Sequence, residues 1–167
     1  MAVLPLVTMD NPVLHQKAKR VRKIDASIQK LVDDMIETMH DIGGAAGLAA
    51  PQCGIPLQVV VIEMPDSDEI ITLINPEIVK ASGERTVMEG CLSLPGYRGT
   101  LKRAEAVTAK GRDRNGKEIR IKGEGLLAQA LQHETDHING IVYVDHLESK
   151  DHLQKISPEE EDEAGEM

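Results

Sequence analysis

The sequence contains no Phe and no Trp, and only two Tyr, Tyr97 and Tyr143. A protein that stacks on nucleic-acid bases needs flat side chains, so that class loses support at once. Cysteine is almost as scarce. Cys53 and Cys91 are too few to staple a secreted scaffold, so each is a small core residue or a chemical one. No stretch approaches the roughly 18 apolar residues that a membrane span needs. The start, MAVLPLVTMDNP, lacks the basic and long apolar regions of a signal peptide, and no Arg/Ser-rich transit segment follows. These absences predict a cytoplasmic protein with no membrane partner. Positive charge is also in deficit, with 19 Lys and Arg against 28 Asp and Glu, a net −9. That balance argues against direct nucleic-acid binding. Residues 157–167, SPEEEDEAGEM, hold six of the acids and no base. The expected organisation is one domain over 1–156 and an acidic, disordered tail over 157–167.

What is present suffices for a core, since 41% of the residues are apolar. Ile28, Leu31, Val32, Met35, Ile36 and Met39 form one apolar stripe, which predicts a helix over 25–40. Asp25 is placed to cap it and Gly43-Gly44 to stop it. Residues 57–64 and 70–74 read as strands, with Asn75-Pro76 breaking the second. Residues 104–110 and 117–122 read as a hairpin turned at Asn115-Gly116. A second helix is expected over 124–138, then a short strand in the Ile-Val-Tyr-Val segment at 141–144. The order suggests an α+β fold, largely antiparallel sheets around a central helix.

The chemistry concentrates in three segments. His133-Glu134-Thr135-Asp136-His137 is an HExxH pattern. On a helix its two imidazoles lie one turn apart on one face, able to share a metal ion, and Glu134 can reach a water there. Chance gives this pattern in roughly 2% of chains of this composition, and an incidental pair of surface His is the bland alternative. Leu127, Ala130, Leu131 and Glu134 form the inward stripe, however, and a carboxylate in such a stripe needs a partner. Catalytic sites usually take a third protein ligand. Cys91, in Glu89-Gly90-Cys91-Leu92-Ser93, is the better candidate over His146, Glu148 and His152. The third segment, 43–50, is a run of small residues that lets a backbone or ligand approach closely. Gln52 follows it with a side-chain amide able to donate to an oxyanion.

In this order the segments resemble the three motifs of the peptide deformylase family, GxGxAAxQ, EGCxS and QHExDHxxG. They stand here as residues 45–52, as Glu89 to Ser93, and as Gln132 to Gly140, with Ala45 where the family usually has Gly. The resemblance covers residues 1 to about 150. It implies a central metal-binding HExxH helix and one divalent ion held by Cys91, His133 and His137. By the same resemblance the ion would be ferrous iron in the cell, with zinc, nickel or cobalt as substitutes. It implies Glu134 as general base and then acid, with the Gln52 amide and the Leu92 N–H holding the oxyanion. Substrates would be N-formylmethionyl nascent peptides, bound near Gly47, Leu48, Glu89, Arg98 and Gln129, and formate the product. The expected form is a monomer. A ribosome contact would have to use the basic runs at 17–23 or 110–122, because the acidic end cannot bind phosphates. Two rivals stand against this reading: an HExxH zinc endopeptidase, and a non-catalytic domain whose HExxH is incidental.

Overall fold

The computed structural model describes residues 2–156. The tail expected at 157–167 lies outside the described residues.

Helix α1 (Ala26–Ile42) runs slightly longer than the expected stripe. The Asp25 carboxylate accepts from the Ser27 and Ile28 N–H groups, satisfying donors that the first turn leaves free. Gly43, at φ +72°, ends the helix and returns its N–H to the Met39 carbonyl. Helix α2 (Gly125–Ile138) carries the HExxH segment. It stops at Gly140, where a Cβ would lie 2.7–2.9 Å from the Gln16 backbone, so only Gly permits that approach.

Eight strands make two antiparallel sheets. They are β1 (Gly47–Ala49), β2 (Val59–Glu63), β3 (Ile70–Ser82), β4 (Arg85–Cys91), β5 (Leu94–Arg103), β6 (Ala106–Arg112), β7 (Glu118–Glu124) and β8 (Leu153–Lys155). The first sheet has the order β1-β2-β3-β6-β7 and the second β4-β5-β8. The α+β architecture is therefore as expected. Strand β2 shows how the first sheet is packed. Val60 and Ile62 face α2 with Leu73, Ala109, Ala128 and Leu131, while Val59 and Val61 face α1 with Val32, Met35 and Met39. Two-residue alternation along one strand thus serves two helices.

Helix α2 lies between the sheets. On its other side the Gln132 side chain pairs with both the N–H and the C=O of Ala104, just past β5. This inter-sheet position makes the metal-motif helix central and buries both of its long faces.

Two local expectations are corrected. Strand β3 does not break at Asn75-Pro76 but continues to Ser82. Asn75 takes φ +57° at a register shift, where the missing Pro76 N–H costs the ladder nothing. Its side chain clamps both backbone groups of Val21. The segment expected as a last strand instead forms a 3₁₀ turn, Tyr143–His146, with Tyr143 buried against Val87, Cys91 and Leu101. Strands β4 and β5 of the second sheet carry no readable periodicity, because they are rich in Gly and charge and bury only Val87 and Leu101 as aliphatic anchors.

Candidate active site

Helix α2 delivers His133 and His137 side by side, with their Nε2 atoms 3.2 Å apart. The last residue of β4, Cys91, brings its Sγ to 3.4 Å from His137 Nε2. The three donor atoms lie within 4.8 Å of one another, and all three residues are buried. One thiolate and two imidazoles, gathered at that spacing, form a donor set suited to a borderline transition-metal ion. The surroundings agree. Both oxygens of the fully buried Glu134 carboxylate, and Nδ1 of His137, lack hydrogen-bond partners among the described residues. Buried polar atoms are rarely left so unless a ligand or water belongs beside them.

A charged chain orients the site from behind. His133 Nδ1 meets Glu89 Oε1 at 2.6 Å, which leaves its Nε2 to face Cys91 and His137. Arg103 grips Glu89 in a two-pronged pair, Nε to Oε2 and Nη2 to Oε1, each 2.7 Å. Its Nη1 donates to Asp136 Oδ2 at 2.6 Å, and Asp136 also meets His146 Nε2 at 2.8 Å. Burial alone would raise Glu89, but the bonds with Arg103 and His133 reverse that and hold it down at about 2. Arg103 is correspondingly held well above its usual range. Burial also works against a charged His133, yet hydrogen bonds with Cys91 and Glu89 keep its proton affinity well above normal. His137, buried beside it, is held well below. Burial pushes Glu134 up to about 7.

Gln52 sits in a 3₁₀ turn after β1. Its Oε1 accepts from the Ala49 N–H at 2.9 Å, which turns Nε2 toward Cys91 Sγ at 3.5 Å. The donor end of the amide therefore points into the cluster. Leu92 follows Cys91 in the turn between β4 and β5. Gly47 lies directly against Glu134: a Cβ there would stand 2.7 Å from Oε2. Together these residues make a buried, preorganised arrangement of three metal donors, one high-pKa carboxyl group and an inward amide.

The substrate-side expectations fare unevenly. Strand β1 forms the outer edge of its sheet, next to the cluster, so the backbone of Gly47 and Leu48 borders the site. The Leu48 side chain, however, is buried in the α1 core. Glu89 does not reach a substrate surface, because it is 1% exposed and both its oxygens are taken by Arg103 and His133. Arg98 lies opposite Gly90, one residue from Cys91, and its buried Nε has no hydrogen-bond partner among the described residues. Gln129 lies one helical turn before His133 and donates to the Met88 carbonyl at 3.2 Å. A groove of about 580 Å³ is lined by Met64, Pro65, Ile71, Leu126 and Leu127 together with Asp66, Ser67, Glu69 and Glu124.

Arg103 and Asp136 were missed as site residues. Asp136 stands inside the HExxH segment, which was a usable signal. Arg103 has no local one, since the carboxylates it grips, Glu89 and Asp136, lie 14 and 33 residues away. Cys53 is not in the donor cluster and packs in the α1 core instead.

Residues 3–153 match the family model described as polypeptide deformylase. The chain is 59% identical over 161 residues to a peptide deformylase of Dehalococcoides mccartyi, covering 96% of each chain. It is 44% identical over 171 residues to one from Thermomicrobium roseum, covering 98% of this chain and 97% of that one. Among solved structures it resembles a peptide deformylase from Legionella pneumophila, with TM-score 0.84, 45% identity, and coverage of 98% and 91%. It also resembles one from Synechococcus elongatus in complex with actinonin, with TM-score 0.84, 40% identity, and coverage of 88% and 80%.

Proposed function

The chain belongs to the peptide deformylase family, and on that premise we propose which of its residues perform each part of the reaction. The enzyme is a metal-dependent hydrolase that removes the formyl group from N-formylmethionine of nascent polypeptides and releases formate. The observation that carries the assignment of roles is the Cys91, His133 and His137 cluster beside the unpartnered Glu134 carboxyl group.

Cys91, His133 and His137 hold one divalent ion, Fe²⁺ in the cell, with Zn²⁺, Ni²⁺ or Co²⁺ as substitutes. When bound, the ion supplies a Lewis acid that makes water a usable nucleophile near neutral pH. Glu134 takes the proton from the attacking water and later returns it to the departing amine. Burial raises its proton affinity above that of an ordinary carboxylate, which suits a group that must both take and return a proton. The inward Gln52 Nε2 and the Leu92 N–H donate to the oxygen that becomes negative as the formyl carbon turns tetrahedral. Glu89 and Arg103 fix the ring of His133 and so its donor direction.

The β1 edge at Gly47 and Leu48 pairs with the substrate backbone, adding the peptide as a further strand. Arg98 meets the chain beyond the methionine. Leu126 and Gln129 wall the methionine side chain, in a pocket without Phe or Trp. Formyl is the smallest acyl group, and the small-residue loop at 43–50 suits a narrow pocket that excludes larger ones. Residues 1–156 are one catalytic domain, and 157–167 are dispensable for turnover. No helix among the described residues is long and apolar enough to cross a membrane. The enzyme works as a cytoplasmic monomer, with the basic runs at 17–23 and 110–122 available to a ribosome.

The deciding experiment is formate release from formyl-Met-Ala-Ser, with metal content measured on the same sample. Glu134→Ala should retain its metal and lose formate release; near-normal turnover would remove Glu134 from its role. Cys91→Ala should lose both, whereas an HExxH endopeptidase would keep its metal.

A further inference from the structure

We propose that residues 7–18 form a strap that sets the oxyanion donors, with Val7 and Met9 as positioning residues that act through their backbone N–H groups. The inference rests on the oxyanion roles given to Gln52 and Leu92. Val7 donates to the Gln52 carbonyl at 2.8 Å, and Met9 donates to the Ser93 carbonyl at 2.9 Å. Those carbonyls belong to the two turns that carry the donors. Gln52 stands in the 3₁₀ turn after β1, and Ser93 follows Leu92 in the turn between Cys91 and Leu94. The two N–H groups are two residues apart, so at most about 7 Å separates them. A short piece of covalent chain therefore gauges the distance between two turns that are remote in sequence.

Both ends of the strap are fixed away from the donors. Ahead of it, the Leu4 N–H donates to Thr38 Oγ1 on α1 at 2.8 Å, and Leu4 and Leu6 pack against the α1 core. Behind it, the Ala18 N–H donates to the Ile138 carbonyl at 2.8 Å, at the end of the metal-motif helix. The Gln16 backbone fills the space that a Cβ at Gly140 would need. The Met9 side chain packs on the cluster of Val87, Cys91, Leu101 and Tyr143. One stretch of chain thus bonds the main chain of all three motif segments.

An oxyanion donor helps the reaction only if it already points at the place where charge develops. The Gln52 side chain is tied to its own turn, because Oε1 accepts from the Ala49 N–H. Its Nε2 moves with that turn as one body, and the strap fixes where the turn lies. The Leu92 N–H is a backbone group, so its direction is also that of its turn. Gln52 is 0% and Ser93 1% exposed, so water offers no ready substitute for a lost strap N–H. Removing that N–H leaves a buried carbonyl unpaired and lets the donor turn shift.

The test is steady-state formate release from formyl-Met-Ala-Ser by the metal-loaded full chain. Val7→Pro removes one strap N–H. An ester in place of the Val7 amide, introduced by ligation at Cys53, removes it without the proline ring and guards against misfolding. Both should lower kcat about tenfold with KM and bound metal within about twofold of wild type, because the donors act on the transition state and not on bound substrate. Met9→Pro should do the same through Leu92. In Gln52→Leu protein the Val7 ester should cost less than about twofold, while Met9→Pro keeps its effect. In amide NMR spectra of the zinc-loaded chain, the Gln52 side-chain resonances should shift in the ester variant and those of Gln132 should not. Val3→Pro, at an exposed position upstream, should leave turnover unchanged. The strap is overturned if the ester variant keeps kcat within about twofold, if its loss is as large in Gln52→Leu protein, or if metal is lost in step with turnover. A Gln52→Leu chain with normal turnover removes the oxyanion reading and the strap with it. A slow Gln52→Leu chain beside a normal ester variant removes the strap alone.

Discussion

Replacing Gly47 by Ala adds one methyl group at the closest approach in the site. The new Cβ would lie 2.7 Å from Glu134 Oε2, 3.0 Å from Cγ and 3.1 Å from Cδ. Comfortable contacts begin near 3.5 Å, so Glu134 must yield by about 0.5–1 Å. Its backbone cannot, since it sits mid-helix between His133 and His137. The side chain must swing instead. No hydrogen bond from the described residues opposes the swing, because both carboxylate oxygens are unpartnered among them. The stability cost is therefore that of a displaced rotamer, about 1 kcal/mol, and lowers Tm by about 2–4 °C. The catalytic cost is larger, because a base misplaced by about 1 Å loses on the order of 10²-fold, or about 2.7 kcal/mol. Gly47→Ala should thus release formate about a hundredfold more slowly while keeping its metal and nearly all its stability. In a Glu134→Ala background the same substitution should cost no stability, since its opponent is gone. Formate release within threefold of wild type would refute the reasoning, as would an equal stability loss in both backgrounds.

Other outcomes follow from the same contacts. Arg103→Met strands the 1%-exposed Glu89 without its two-pronged partner. Breaking a buried pair costs about 3–5 kcal/mol, so thermal melts should fall by roughly 10 °C, with part recovered in Glu89→Gln/Arg103→Met. In metal-free protein Glu89 is held down at about 2 against an ordinary 4.5. A depressed acid stabilises above its ordinary value and loses that contribution as pH falls toward 2, on the order of 3 kcal/mol here. Urea melts between pH 5 and pH 3 should show the loss, and Glu89→Gln should flatten it. Burial pushes Cys53 up to about 12, so iodoacetamide at pH 8 should spare it in folded protein and modify it after denaturation, as read by peptide mass mapping.

The parts that were legible in the sequence are those whose physics is local. The α1 stripe and its Asp25 cap use neighbours three and four residues away, as do the two imidazoles of α2. The β6–β7 hairpin needs only a turn, and Asn115-Gly116 supplies it. Strand β3 was read too short because Pro is a breaker by default. Only the bulge at Asn75, held by Val21 some 54 residues earlier, makes Pro76 harmless. The second sheet has no apolar alternation of its own to read, because its core is Val87, Cys91 and Leu101 packed on the distant Tyr143.

The donor types of the metal site were set by the sequence alone: a Cys between Gly and Leu, and two His one helical turn apart. The tertiary structure decided what surrounds them. It assigned Glu89 to His133 instead of substrate, because a buried carboxylate takes the nearest guanidinium and ring N–H that can satisfy it. It set Gly47 against Glu134, and it brought Arg20 into one concavity with Lys110 and Arg112. Distances between remote segments depend on how strands register and helices dock. No spacing along the chain encodes them, and the protonation of Glu134 and Glu89 follows from those distances.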